Sequence, residues 1–279
     1  MKEMDDMALL REYAAKDSET AFEILVSRHV NFVYSAALRQ VRDPHLAEEI
    51  TQAVFIILAK KSGQMREGTI LSGWFFKTTR FAALAQTRAN AKRQQREQEA
   101  YMQSEIQHTA PDALWEQLSP LLDEALTQLG EKDRQAVLLR FFENKSLADV
   151  GNSLGTGEDA ARKRIARALE KLKSYFSKRG VASTTAIVAG LLSAHSIQAA
   201  PTALAKSVTT VAIAKGAAIS GSTLTLVKGA LKIMAWTKMK TAVVVGAGII
   251  ISITATTVVV HKMVQPTIDD SMWWTVDNT

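Results

Sequence analysis

Apolar residues along this chain recur at steps of three and four, the spacing that gathers them on one side of a helix. No run alternates apolar and polar positions for long enough to argue a strand. Phe22, Leu25, Val26, Val30, Val33 and Ala37 make one stripe, with Ser18 placed to cap it. Leu46, Ile50, Ala53, Val54, Ile57 and Leu58 make a second. It opens at Asp43-Pro44, where a first-turn proline gives up no needed N–H. After a glycine-punctuated loop at 63–73, a stretch free of Gly and Pro runs from Trp74 past Tyr101. Ser119-Pro120 then predicts the start of a helix over Leu121–Leu129, closed by Gly130. Residues 131–143 follow with Val137, Leu138, Phe141 and Phe142 as core candidates and Asn144 as a left-handed stop. Ser146 and Asp149 have the spacing of a capping pair. Glu158–Lys173 puts Ala161, Ile165, Ala168, Leu169 and Leu172 on one stripe. The pattern predicts an all-α protein.

Charge divides this pattern near Gly180. Residues 1–180 carry 27 Lys+Arg against 25 Asp+Glu, and residues 181–279 only 7 against 3, within a formal net charge of +6. The second part is rich in Ala, Val, Ile, Thr and Ser. The Gln/Glu-rich run ending at His108-Thr-Ala-Pro-Asp112 breaks the first part, because Pro111 disfavours helix in the residue before it. The expected domains are 1–99, a flexible linker at 100–113, a second helical domain at 114–179 and an extension from 180 onward. The charged N-terminus, MKEMDDMALLREY, does not read as a signal peptide, which places the first part in the cytoplasm.

Three stretches carry candidate chemistry. Lys163, Arg164, Arg167 and Lys171 face away from the apolar stripe of Glu158–Lys173, behind a short helix and a glycine-bearing turn at Ser146–Gly157. That is the plan of a helix-turn-helix DNA reader; a basic face that is merely solvated gives the same pattern. Glu48, Glu49 and Gln52 form an acidic outer face near a helix N-terminus, suited to solvent or to a basic partner. From Lys77 to Arg96 the chain has Lys77, Arg80, Arg88, Lys92, Arg93 and Arg96 and no acid, next to Trp74-Phe75-Phe76. Rings that stack on bases and cations that follow phosphates suit single-stranded nucleic acid, although at least half of Trp74, Phe75, Phe76 and Phe81 should be core.

DPHLAEEITQAVFIILAKK (Asp43–Lys61) followed by SGWFFKTTRFAALAQTR (Ser72–Arg88) resembles region 2 of the sigma-70 family of sigma factors, closest to the small extracytoplasmic-function (ECF) group. Ser146–Lys173, with Arg164-Ile-Ala-Arg167-Ala168, resembles region 4 of the same family, in family order and at family spacing. The resemblance covers about residues 5–178. It implies a factor that joins core RNA polymerase and directs promoter DNA recognition, with no catalytic residues, cofactor or metal of its own. Polymerase docking falls to Glu48, Glu49, Gln52 and Phe55. Contact with the −10 element falls to Trp74, Lys77, Arg80, Arg88, Lys92 and Arg93, and with the −35 element to Arg162, Lys163, Arg164 and Arg167. Ala53, Phe81, Ala85 and Ala160-Ala161 depart from the family pattern, so the base sequence read is left open.

Thr241–Val260 is twenty uncharged residues, about 30 Å as a helix and so the thickness of a bilayer core. It is expected to span the membrane once from the inner face. The lysines at 206, 215, 228, 232, 238 and 240 would then stay inside and the acidic tail 261–279 would lie outside. Residues 180–240 become a juxtamembrane extension, with Val181–Ala200 resting on the membrane surface or on a partner. A tethered factor of this kind would be governed by an anti-sigma factor or released by a protease. A membrane-anchored helix-turn-helix regulator acting without polymerase is the alternative. An enzyme is not: absent cysteine excludes thiolate chemistry, the five histidines lack ligand spacing, and no nucleophile triad or phosphate loop is present.

Overall fold

Side-chain caps fix where the first helices begin. In the computed structural model, which describes residues 5–97, 113–214 and 221–235 (for 88–97 and 113 the backbone alone), all regular structure is helical. Helix α1 (Asp6–Lys16) starts at Asp5, whose carboxylate accepts from the Met7 N–H. Helix α2 (Glu19–Val41) starts at Ser18, which accepts from the Ala21 N–H at 3.3 Å. Helix α3 (Pro44–Lys61) starts at Asp43, which accepts from the Leu46 N–H at 3.1 Å, with Pro44 in its first turn. Each cap satisfies a donor that the helix cannot. Helix α4 (Leu71–Glu97) closes the first group. A line of rings runs through its core: Tyr13 to Phe22 at 4.6 Å, Phe22 to Phe55 at 6.5 Å, Phe55 to Phe75 at 5.2 Å and Phe75 to His29 at 4.9 Å.

The second group differs from expectation at its start. Helix α5 (Ala113–Gln128) begins before Ser119-Pro120 and carries Pro120 inside it. Leu118, Leu122, Ala125 and Leu126 are buried on both sides of the proline, and their packing outweighs the one hydrogen bond that proline forgoes. Helix α6 (Glu131–Val137) runs into a π-helical segment, Leu138–Phe142, before Asn144 stops it at φ +52°. The widened turn seats Phe142 edge-on against Phe32 of α2 at 5.6 Å.

Helix α7 (Leu147–Ser153) is capped by Ser146, whose hydroxyl accepts from the Asp149 N–H and donates to the Asp149 carboxylate. Helix α8 (Glu158–Lys178) buries Ala161, Ile165, Ala168, Leu169 and Leu172 as the sequence predicts, and Phe176 beyond them. Gly155 turns the chain between α7 and α8 at φ +65°. Gly151 lets the two approach, since a Cβ there would lie 2.9 Å from the Thr156 carbonyl oxygen.

The described part of the extension, 181–214 and 221–235, packs back on these helices. Helix α9 (Thr185–His195) is capped by Thr184 and lies against α8 and the π segment. Helix α10 (Thr202–Ile213) lies against α3 and α2, and residues 221–235 form α11. Between α9 and α10 the backbone is tied to α2. Gln198 N–H donates to Ser35 Oγ at 2.6 Å, Ser35 Oγ lies 3.0 Å from the Gln198 carbonyl oxygen, and Ala200 N–H donates to Asn31 Oδ1 at 2.9 Å.

Residues 1–233 form one compact unit and 234–279 another. The two helical groups and the extension as far as residue 233 fall within the first unit. Among the described residues no helix is long and apolar enough to cross a membrane. The expected linker core at 100–112, the expected span at 241–260 and the tail at 261–279 lie outside the described residues.

Candidate nucleic-acid and partner interface

The acidic face of α3 is half-covered. Glu48, Glu49 and Gln52 are each intermediate in exposure. Glu49 Oε1 accepts a hydrogen bond from Ser222 Oγ of α11 at 2.8 Å. Glu48 lies near Tyr34, and burial together with that carboxylate pushes the Tyr34 phenol up. Phe55 has no exposed surface and is one of the core rings. Of the four residues expected to dock polymerase, it is the one on the inward side of α3, three residues beyond Gln52. Every residue from Ala53 to Ala59 is buried. A helix on the edge of a core keeps one face wet; α3 does so at Glu48, Glu49 and Gln52 but is enclosed on all sides from Ala53 to Ala59.

On α4, Trp74 and Phe81 are half-exposed while Phe75 and Phe76 are core. Trp74 meets Phe75 edge-on at 5.5 Å. Lys77 is exposed and pairs with Glu131 of α6, Nζ to Oε2, at 2.6 Å. Burial disfavours the Glu131 anion, but the bond from Lys77 and the charge of Arg134 hold its pKa below the ordinary value. Arg80 is half-buried beside Glu124 of α5. Arg88, Lys92 and Arg93 continue along the α4 backbone, with their side chains outside the described ones.

The helix-turn-helix sorts its four cations. Lys163 and Arg167 are exposed on the outer face of α8, and the Arg167 side chain folds onto the Lys163 carbonyl at 3.3 Å. Arg162 bonds back to Glu158 at 2.8 Å and Asp159 at 3.4 Å in the first turn of its own helix. Arg164 is different: it is half-buried and bonded to Asp133 of α6 at 2.9 Å. Lys171 meets the other oxygen of Asp133 at 2.7 Å. Although burial disfavours it, these two cations keep the Asp133 carboxyl below its ordinary pKa. Arg164 thus ties α8 to α6, while Lys163 and Arg167 are exposed on the outer face of α8.

Sequence reasoning missed four side chains that shape this surface. Arg39 of α2 bonds Asp123 of α5 through two nitrogens, each at 3.2 Å, with both side chains under one-tenth exposed. Glu131 and Asp133 orient α4 and α8 from one turn of α6. All four are ordinary charged residues in helical runs. Their partners lie 31 to 84 residues away, and no local spacing marks them.

Comparison with known proteins agrees with the two resemblances. The family described as "Sigma-70 region 2" matches residues 25–93, and "Sigma-70, region 4" matches residues 125–174. The chain is similar to the RNA polymerase sigma factor CarQ of Myxococcus xanthus, 34% identical over 165 residues, which cover 58% of this chain and 92% of CarQ. It is 29% identical to the ECF RNA polymerase sigma factor SigE of Mycolicibacterium smegmatis over 161 residues, 57% of this chain and 62% of that one. With the ECF sigma factor SigK of Mycobacterium sp. it shares 25% over 177 residues, 60% of this chain and 88% of SigK. Both family matches end before Gly180.

Proposed function

Since the chain belongs to the sigma-70 family of RNA polymerase sigma factors, and to its ECF group, we infer that it joins core polymerase through the acidic face of α3 and reads two promoter elements through α4 and α8. The observation that carries this reading is the pairing of a complete helix-turn-helix with a preceding basic, Trp-bearing helix. A repressor needs duplex contacts alone, whereas a factor that opens DNA needs a surface for single strands.

Each surface has its part. Glu48, Glu49 and Gln52 meet a basic element of the polymerase. Trp74 stacks on an exposed base of the −10 element, while Lys77, Arg80, Arg88, Lys92 and Arg93 follow its phosphates. On α8, Lys163 and Arg167 face the −35 major groove, where arginine forms paired bonds to guanine. Arg162 supports them from the helix N-terminus, and Arg164 acts through its hold on Asp133. No step requires a covalent intermediate or a metal.

Thr241–Val260 tethers the factor to the inner membrane as a single span with the N-terminus inside. Its twenty uncharged residues support this reading, as do Trp236, Trp273 and Trp274, which suit the two membrane surfaces. An anti-sigma factor or a protease would set its release.

Glu48→Lys with Gln52→Lys tests the docking face. Affinity for core polymerase should fall at least tenfold while affinity for promoter DNA holds. Equal loss of both would overturn the assignment.

A further inference from the structure

Part of the extension lies on α3, the helix assigned above to polymerase docking. Leu204, Val208 and Ala212 are the buried face of α10, at steps of four, and α10 lies on α3 and α2. Leu226, Val227 and Ala230 are the buried residues of α11. Ser222 at the start of α11 bonds Glu49 on the acidic face of α3, and Gly229 comes so close to α4 that a Cβ there would stand 2.9 Å from the Ala85 Cβ. The same segment fastens the two sigma regions to each other. Ser196 donates through its hydroxyl to the Phe141 carbonyl at 2.8 Å, and its own carbonyl accepts from Arg39 at 2.9 Å. Arg39 is at that point also bonded to Asp123 and lies over the Phe142 ring. The basic start of α4 is engaged as well, with Lys77 on Glu131.

We propose that residues 196–214 and 221–230 are an antagonist carried by the chain itself: they hold regions 2 and 4 together and lie on the polymerase-docking helix, so that the factor engages core polymerase only when they lift off. The proposal rests on the reading of α3 as the docking helix. Its physical basis is competition for one surface. A ligand that binds only the open form has its apparent affinity reduced by the fraction of chains that are open. The contacts that close the molecule are apolar on α10 and α11 and polar at residues 196–200.

Two changes to the full-length chain test it. Val208→Glu puts a charge on the buried face of α10 and favours the open form. Ala85→Cys with Gly229→Cys closes it covalently. The natural chain has no cysteine, so the new pair has one partner each. Their built Cβ separation is about half an ångström below the usual disulfide span, and a small shift of α11 permits the bond. Binding to bacterial core polymerase is read for both, the cysteine pair in oxidised and reduced form. The expected result is affinity at least tenfold tighter for Val208→Glu than for the unaltered chain, and at least tenfold weaker for the oxidised pair than for the reduced pair. Equal binding by oxidised and reduced pairs would overturn the proposal even if Val208→Glu failed to fold. Should none of the forms bind, the sigma reading itself falls, and the proposal with it.

Discussion

Arg39 and Asp123 form a buried, two-bond ion pair that joins α2 of region 2 to α5 of region 4. Taking either partner away strands a charge out of water, at a cost of about 3–5 kcal/mol. Asp123→Ala should therefore lower unfolding stability by about that much in denaturant titration. Replacing both residues together, Arg39→Met with Asp123→Leu, should recover most of the loss, because two buried charges are removed at once. A double variant no more stable than the single one would refute the pairing.

Phe55 separates packing from docking. Its ring meets Phe22 and Phe75 and has no exposed surface. Phe55→Ala should cost about 3–5 kcal/mol of stability. If the ring were instead a polymerase contact, core binding would fall with stability unchanged.

Asp6 gives the fold an acid limb. Burial opposes its charge, but hydrogen bonds and attraction from His29 and Arg28 prevail and lower its pKa from 3.8 to about 2. A carboxyl depressed on folding adds stability that is present above pH 3.8 and is lost as pH falls through 2. The gap corresponds to about 2 kcal/mol. Asp6→Asn should be less stable than the natural chain at pH 6 and should match it below pH 2. A constant difference across that range would contradict the account.

Gly151 is a point of close backbone approach in the helix-turn-helix. A methyl there would meet the Thr156 and Gly157 backbone at 2.9–3.1 Å, and backbone cannot turn aside as a side chain can. Gly151→Ala should lower stability by about 1–3 kcal/mol and weaken −35 DNA binding. Unchanged thermal unfolding would show that α7 and α8 tolerate a wider spacing.

Local chemistry was legible from the sequence wherever neighbours in the chain decide the outcome. Ser18, Asp43-Pro44, Ser146 and Asn144 act through residues within a few positions of themselves, and all four sit where their chemistry predicts. Pro120 misled because the apolar stripe around it, not its own preference, determines α5. Phe55 and Gln52 both lie on α3 three residues apart, and only the packing of α2 and α4 tells which side is wet.

The extension was least legible. A helix of Ala, Val, Leu and Thr buries as well against protein as against lipid, so composition alone does not distinguish α10 on α3 from a segment resting on a membrane. The Arg39–Asp123 pair was hidden for another reason: 84 positions separate its members, and only the fold brings them together.

The measurement that bears most directly on the account is start-site mapping of transcripts made by bacterial core RNA polymerase with the full-length chain or its Val208→Glu variant. The account predicts discrete starts that core polymerase alone does not make, more abundant with the variant. Random initiation with both proteins, unchanged from core polymerase alone, would contradict it.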